Sequence, residues 1–270
     1  MPKEKPQEAL NENSSIFLPT LNFRTNRIDG HDTHIHSHTF IEIFYVLSGK
    51  LTHHCNGKTD ELTPGTIVFM QPGIKHQIER SGPCLYRNLC ITTEHFKSGC
   101  DFLGEEVFPS IMKRGVYQTI KEPISSLDYL ETQIRHIQEC LNNERIAFAQ
   151  INVLLVTVIN FFIGRQTEKK QPFLSDSFDD RKVPQWFLEL LSVFDKYDVI
   201  KYGIPEIKKH IFYSYSYVCR SFKKYTGKTL LEFLNEIRLS HAKFLLKNTD
   251  LSILDIADNT GFSSIGYFNR

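Results

Sequence analysis

The apolar residues of this chain change period once, near Thr93, and that change limits the folds open to it more than any other feature. From about Ile16 to Ile91 they come in short β-rich runs: Ile41-Glu-Ile-Phe-Tyr-Val-Leu, Lys50-Leu-Thr-His-His, Gly65-Thr-Ile-Val-Phe-Met and Cys84-Leu-Tyr-Arg-Asn-Leu-Cys-Ile. Turn signals separate them at Ser48-Gly49, Asn56-Gly57, Pro64-Gly65, Pro72-Gly73 and Ser81-Gly82-Pro83. Short strands with turns at roughly ten-residue spacing predict a small barrel or jelly roll. Asn56-Gly57 is the strongest hairpin signal, because both residues tolerate the positive φ of a tight turn. Beyond Thr93 the spacing becomes helical: Leu127, Leu130, Ile134, Ile137 and Leu141 fall on one face, and the run from Ile146 to Phe162 repeats the pattern. Two antiparallel helices joined near Asn142-Asn143 are expected. Residues 166–183 are polar, contain a Pro and read as a linker, and everything beyond Pro184 reads as helical. The fold class expected is α+β, with a β-barrel and helical pair over residues 16–165 (the helices at about 125–165) and an all-α domain over 184–270.

With 270 residues, 41% of them hydrophobic and 23% charged, the chain supports two cores and has ordinary globular composition. Residues 1 to 15 are polar and expected to be loose. The most apolar run, Ile151 to Ile163, is interrupted by Asn152, Thr157 and Asn160 and reads as a buried helix too short to span a bilayer. No apolar stretch follows the charged N-terminus, so no signal peptide is visible and a cytoplasmic protein is expected. Cys55, Cys84, Cys90, Cys100, Cys140 and Cys219 show neither a paired nor a zinc-finger spacing and read as reduced structural thiols. Net charge is only +1. Its distribution is more telling: Lys208, Lys209, Arg220, Lys223, Lys224 and Lys228 cluster between Ile207 and Leu231, a span without Asp or Glu.

A helix-turn-helix needs a short first helix, a tight turn and a second helix that is apolar inside and polar or basic outside. Ile204 to Lys209, a turn at His210 to Tyr213, and Ser214 to Tyr225 meet these requirements. Ser214 is a natural N-cap, Val218, Phe222 and Tyr225 face inward, and Ser216, Cys219, Arg220 and Lys223 face outward. Arg220 has the fork to meet a guanine, while Lys223, Lys224 and Lys228 suit phosphates. A long helix, Leu230 to Leu246, follows, with Leu231, Leu234, Ile237, Ala242 and Leu245 as its expected buried positions. Ser252 to Arg270 then repeats the helix-turn-helix pattern and ends in mid-pattern, so the second motif is expected to be incomplete.

The stretches Cys219-Arg-Ser-Phe-Lys-Lys-Tyr-Thr-Gly-Lys-Thr, Leu231-Glu-Phe-Leu-Asn-Glu-Ile-Arg-Leu-Ser-His-Ala-Lys-Phe-Leu-Leu, Leu251-Ser-Ile-Leu-Asp-Ile-Ala and Gly261-Phe-Ser-Ser-Ile-Gly-Tyr-Phe-Asn-Arg closely resemble the AraC-type transcription regulators. The resemblance spans about Ile204 to Arg270. It implies base-reading positions at Ser216, Cys219 and Arg220 in the first motif and at Ile265, Gly266, Asn269 and Arg270 in the second, with Ser263 and Ser264 opening that second helix. It also implies a double-stranded DNA operator as partner, a homodimer, and contact with RNA polymerase if the protein activates. Phe212 departs from the pattern, since that turn position is usually Gly; a strained or rearranged turn is expected there.

Seven of the eleven histidines, His31, His34, His36, His38, His53, His54 and His76, lie in the β-rich region. Gly30, His36, His38, Glu42 and Gly49 follow the spacing G-x5-H-x-H-x3-E-x6-G, and Gly65, Pro72-Gly73 and His76 lie on the next hairpin. This resembles the two motifs of cupins, barrels in which such residues converge on a metal; Arg80 stands near where the second motif expects Asn. Three imidazoles and a carboxylate at His36, His38, Glu42 and His76 suit Zn, Fe, Mn or Ni. His36 and His38, as alternate strand residues, would both point inward. His31, His34, His53 and His54 are expected to be solvated or at the rim. The competing reading keeps the same polar residues to hydrogen-bond a small-molecule effector, as sensor domains of AraC-type proteins do. The resemblance extends to regulators of sugar utilisation, including those for chitobiose-type sugars, which makes a sugar the expected effector. A metal-dependent dioxygenase or isomerase fused to helical domains is the alternative, and the attached helix-turn-helix pair favours a regulator over an enzyme.

Overall fold

The computed structural model describes residues 15–18, 23–29, 32–163, 183–194, 196–262 and 264–268. These fall into two compact units divided between Thr167 and Glu168, with Pro123–Ser125 grouped with the second. The expected linker, apart from Val183, lies outside the described residues, as do residues 1–14.

Among the described residues the first unit contains nine strands: β1 (Ser15–Leu18), β2 (Phe23–Asp29), β3 (Ile41–Ser48), β4 (Leu51–Cys55), β5 (Lys58–Leu62), β6 (Thr66–Met70), β7 (His76–Arg80), β8 (Leu85–Ile91) and β9 (Tyr117–Lys121). They form two antiparallel sheets, β1-β2-β8-β3-β6-β9 and β5-β4-β7. Residues of both sheets enclose one apolar interior, including Phe44, Val46, Leu51, Val68, Ile78 and Tyr86. Asn56 (φ 51°) and Gly57 (φ 74°) form the tight turn between β4 and β5, as their sequence predicts. The strand β9 departs from the single change of period. After two helices the chain returns to the large sheet, and Tyr117–Lys121 pairs along the edge of β6.

Every residue of β3 is buried, because its second face is roofed by helices. These are α1 (Thr93–Leu103), α2 (Val107–Lys113), α3 (Ile124–Glu139) and α4 (Glu144–Ile163). Phe69 on β6 meets Phe96 of α1 and Phe162 of α4, at centroid distances of 5.3 and 5.7 Å. Among the described residues α4 packs most extensively against α1 and α2 rather than against α3 as expected, and a Cβ at Gly99 would lie 2.9 Å from Leu155 Cδ2, so the missing side chain lets α1 approach α4 closely there. The apolar run also belongs to a longer helix than expected. Its 20 residues are long and apolar enough to cross a membrane by length and composition; in the fold, Ala147, Ile151, Leu155, Ile159 and Phe162 are instead buried within this unit.

The second unit holds α5 (Gln185–Val193), α6 (Tyr197–Tyr202), α7 (Ile204–Lys208), α8 (Tyr215–Thr226), α9 (Leu230–Asn248), α10 (Ile253–Asn259) and α11 (Ile265–Phe268). Its core joins Phe187, Leu191 and Phe194 to Ile207, Val218, Phe222 and Leu234. Each such side chain contributes about 1.5–3 kcal/mol through burial. Thr229 caps α9 in a reciprocal box with Glu232. One expected position is corrected: Leu230, Phe233 and Leu234 are buried, whereas Leu231 is exposed. The turn between α10 and α11 uses Gly261 at φ 74°, where a Cβ would lie 2.4 Å from Ile200 O. Phe212 has no such constraint, since Asn56 is the sole non-glycine residue with positive φ among the described residues. The first turn is therefore unstrained without a glycine, and the Phe212 side chain projects outward, 96% exposed.

Candidate functional site

On α8, the Ser214 hydroxyl accepts from the Tyr217 amide and Gly227 closes the far end at φ 73°. Val218, Ser221 and Phe222 anchor the inner face. The opposite stripe carries Ser216, Arg220 and Lys223, all exposed, with Cys219 half-buried on its flank beside Tyr215. Lys224 lies over the Tyr225 ring at 5.1 Å and Lys208 over Tyr215 at 4.8 Å, so aromatic faces steer both ammonium groups. Lys228 differs from expectation: its ammonium is paired with Glu236 at 2.6 Å rather than left for a phosphate. In the second motif Ser264 and Gly266 are exposed, and Ser264 O accepts from Phe268 N at 3.0 Å. Ile265 opens α11. Ser263, Asn269 and Arg270 lie outside the described residues. All six cysteines are free thiols.

In the barrel, three of the four expected ligands converge. His38, Glu42 and His76 place their ligand atoms within 4.8 Å of one another. His38 Nε2 stands 3.2 Å and His76 Nε2 3.6 Å from Glu42 Oε2. Separations near 3–3.5 Å are what a coordination shell of about 2.1 Å radius produces. The backbone fixes the rings. His38 Nδ1 meets Phe40 O at 2.9 Å, which leaves Nε2 for the centre, and Asn88 donates to Glu42 Oε1 at 3.3 Å. His36 differs from expectation. Residues 36–38 form no strand beyond a single bridge of His36 to His76, and His36 is exposed. Its Nε2 nevertheless lies 3.0 Å from His76 Nε2, and its Nδ1 meets His34 O at 2.8 Å, so it stands as an outer fourth donor.

The electrostatics follow from burial and pairing. Burial alone would raise the Glu42 carboxyl, yet the hydrogen bond and charge of His38, with His76 and Asn88, hold it below its ordinary value. Burial pulls the other way on His38, and the hydrogen bond and charge of Glu42 leave it raised. Burial, only partly opposed by Glu42, lowers His76 to about 4.

Sequence reasoning missed His53. It was expected at the rim, but it is 1% exposed on the inner face of β4, among the rings of Phe44, His76 and Tyr117. The alternation Leu51, His53, Cys55 carried the signal, because β4 buries every second residue. His54 takes the opposite face, with Thr59 and Glu79 as partners.

A β-barrel with inward polar donors, joined to a capped helix with a basic outer stripe, defines a ligand-binding, DNA-binding regulator. Known proteins agree. A profile described as an AraC-like ligand binding domain matches residues 19–140, and one described as a helix-turn-helix domain matches residues 208–270. The chain belongs to the AraC-type transcription regulators. It is 27% identical over 242 residues to the HTH-type transcriptional activator RhaS of Mannheimia succiniciproducens, covering 87% of this chain and 82% of the relative. It is 22% identical over 235 residues to RhaR of the same organism, covering 87% and 81%. Among solved structures, an apo ToxT variant from Vibrio cholerae covers 92% of this chain and 91% of its own, at 15% identity and a TM-score of 0.39.

Proposed function

We propose that this regulator reads its operator through α8 and answers to a small molecule held in the barrel, with a sugar as the effector class. Ser216, Cys219 and Arg220 face base edges, Lys223 and Lys224 the phosphates, and Ser264 to Gly266 open the second reading element. Arg220 carries this reading. It is exposed, makes no ion pair among the described residues, and shares a stripe with Ser216 and Lys223 on a helix fixed by the Ser214 cap and by Val218 and Phe222. That is the geometry a major-groove helix requires.

In the barrel, His38, Glu42 and His76, with His36 as outer donor, would hold a divalent metal; three nitrogens and one oxygen suit Zn, Fe, Mn or Ni. The metal would supply a Lewis-acidic anchor for an effector oxygen, and the chain's own part is to orient the imidazoles through Phe40 O and His34 O. A homodimer is supported by Ile146 and Val153, exposed apolar residues seven apart on one face of α4. Action in the cytoplasm as an activator, through RNA polymerase, is in keeping with relatives named as transcriptional activators. Effector binding needs only a differential affinity for two arrangements of the chain to alter DNA binding.

Selection from random-sequence duplex DNA with the purified protein tests the reading. A single enriched motif is expected, bound about 10³-fold or more tighter than unrelated DNA. Enrichment of no motif would remove the operator-reading function.

A further inference from the structure

Two neighbouring lysines of the helix-turn-helix differ in what holds them. Lys209 is paired with Glu206 at 2.5 Å. Lys208 makes no ion pair among the described residues, and its ammonium stands 4.8 Å from the ring centre of Tyr215, the first residue of α8. Cation and ring face attract one another, so a lysine of α7 is steadied beside α8 while it stays exposed. Tyr215 in turn reaches Cys219, four residues further along the same flank of the helix. Partial burial of the phenol, and then its hydrogen bond to the Cys219 side chain, raise it above its ordinary range. A chain of three side chains thus runs from α7 to the edge of the stripe that carries Ser216, Arg220 and Lys223. Neither Lys208 nor Tyr215 is among the positions that the family resemblance marks for base reading.

Resting on the reading of α8 as the groove helix, we infer that Lys208, Tyr215 and Cys219 form one edge of the operator contact, in which Lys208 takes a phosphate, Tyr215 is a positioning residue, and Cys219 meets the C5-methyl group of a thymine. The thiol decides the base. A cysteine behaves as a small apolar side chain with a single weakly polar atom. With the Tyr215 hydroxyl engaging that atom, Cys219 offers the groove its Cβ and the side of its sulfur, and the apolar group that a major groove presents is the thymine methyl. Ser216 and Arg220 supply polar reading beside it, Arg220 with the fork for a guanine, so the thymine falls in the same half-site as that guanine. Lys208 has no fork. A compact ammonium held at the margin of the reading helix suits a phosphate of the groove wall, and it fixes register without reading sequence.

The test titrates the full chain against the motif selected from random DNA, with each thymine of the motif replaced in turn by deoxyuridine, which removes the methyl group alone. Wild type, Tyr215→Phe, Cys219→Ser and Lys208→Gln are compared. At one thymine the exchange should weaken wild type about threefold to fivefold, as the loss of one apolar contact does. Cys219→Ser and Tyr215→Phe should respond there by less than about twofold. Tyr215→Phe keeps the ring that seats Lys208 and loses only the hydroxyl, so an effect confined to one thymine, with an unchanged melting temperature, separates positioning from a structural role. Lys208→Gln should weaken the motif and unrelated DNA alike and lower the slope of log affinity against log salt by about one. A motif without thymine, no effect of deoxyuridine at any position, or the same effect in wild type and both variants overturns the assignment of Cys219 and Tyr215. An unchanged salt slope in Lys208→Gln overturns that of Lys208. In each of these cases a motif whose guanine preference relaxes in Arg220→Ala leaves the operator reading standing; enrichment of no motif overturns both.

Discussion

Arg87 on β8 presents its guanidinium fork to Glu131 on α3, Nε to Oε1 and Nη2 to Oε2, both at 2.6 Å, and both side chains are buried. Tyr45, opposite Arg87 on β3, donates to the same Oε1 at 2.6 Å. The carboxylate beside it pushes the Tyr45 phenol well above its ordinary range, after the larger effect of burial. The same two strands carry Glu42, Tyr86 and Asn88 on their other face. The helix roof and the barrel interior thus lie on two sides of one pair of strands.

Breaking this pair from one side should be costly. Glu131→Ala leaves a buried guanidinium uncompensated, and a loss of about 3–5 kcal/mol in urea unfolding is expected. Replacing Arg87 and Glu131 together by apolar residues of similar volume should recover most of it.

His53 makes the ligand-free protein acid-sensitive. Burial lowers its imidazole from 6.5 to about 4, so between those values the unfolded chain holds a proton that the folded chain does not. Stability therefore rises with pH across this window and falls on acidification, by about 3 kcal/mol for a separation of this size. His76 acts in the same direction. Urea midpoints measured from pH 7 to pH 4 should fall steeply in wild type and less steeply in His53→Leu; equal slopes would contradict the account.

Local chemistry made much of the fold legible. Asn56-Gly57 announced its hairpin and Ser214 its helix, because each acts on its own backbone. What escaped depends on register or on distant partners. The face on which His53 lies is settled by the Leu51 alternation, and β9 is placed by a return across the edge of β6 that no local period announces. Leu231 was misplaced because Leu230, Phe233 and Leu234 fill the inward face at the start of α9 and leave Leu231 beyond its edge, which the apolar pattern alone does not show. Lys228 finds Glu236 only once the Gly227 turn brings α8 onto α9. At the site, spacing brought out His38, Glu42 and His76, while the exposure of His36 follows from a loop conformation that the motif does not encode.

The two turns should respond oppositely to substitution. Gly261→Ala forces a Cβ against Ile200 O at a positive φ, and a loss of about 1–3 kcal/mol is expected. Phe212→Ala removes an exposed side chain from ordinary backbone and should change stability by less than about 0.5 kcal/mol. Thermal unfolding of both variants checks the pair.

Metal analysis of purified protein addresses the barrel donors. Near-stoichiometric metal is expected in wild type, with loss in His76→Ala and Glu42→Gln and a smaller effect in the exposed His36→Ala. Equal, substoichiometric content in all four would contradict the metal site.

The central claim, that α8 reads DNA, is tested most directly by anisotropy titration of the selected motif with wild type and Arg220→Ala. The variant should lose about 1–3 kcal/mol of specific binding and relax its preference at one base position, while Lys223→Ala weakens all sequences alike. Identical affinity and sequence preference in Arg220→Ala would contradict it.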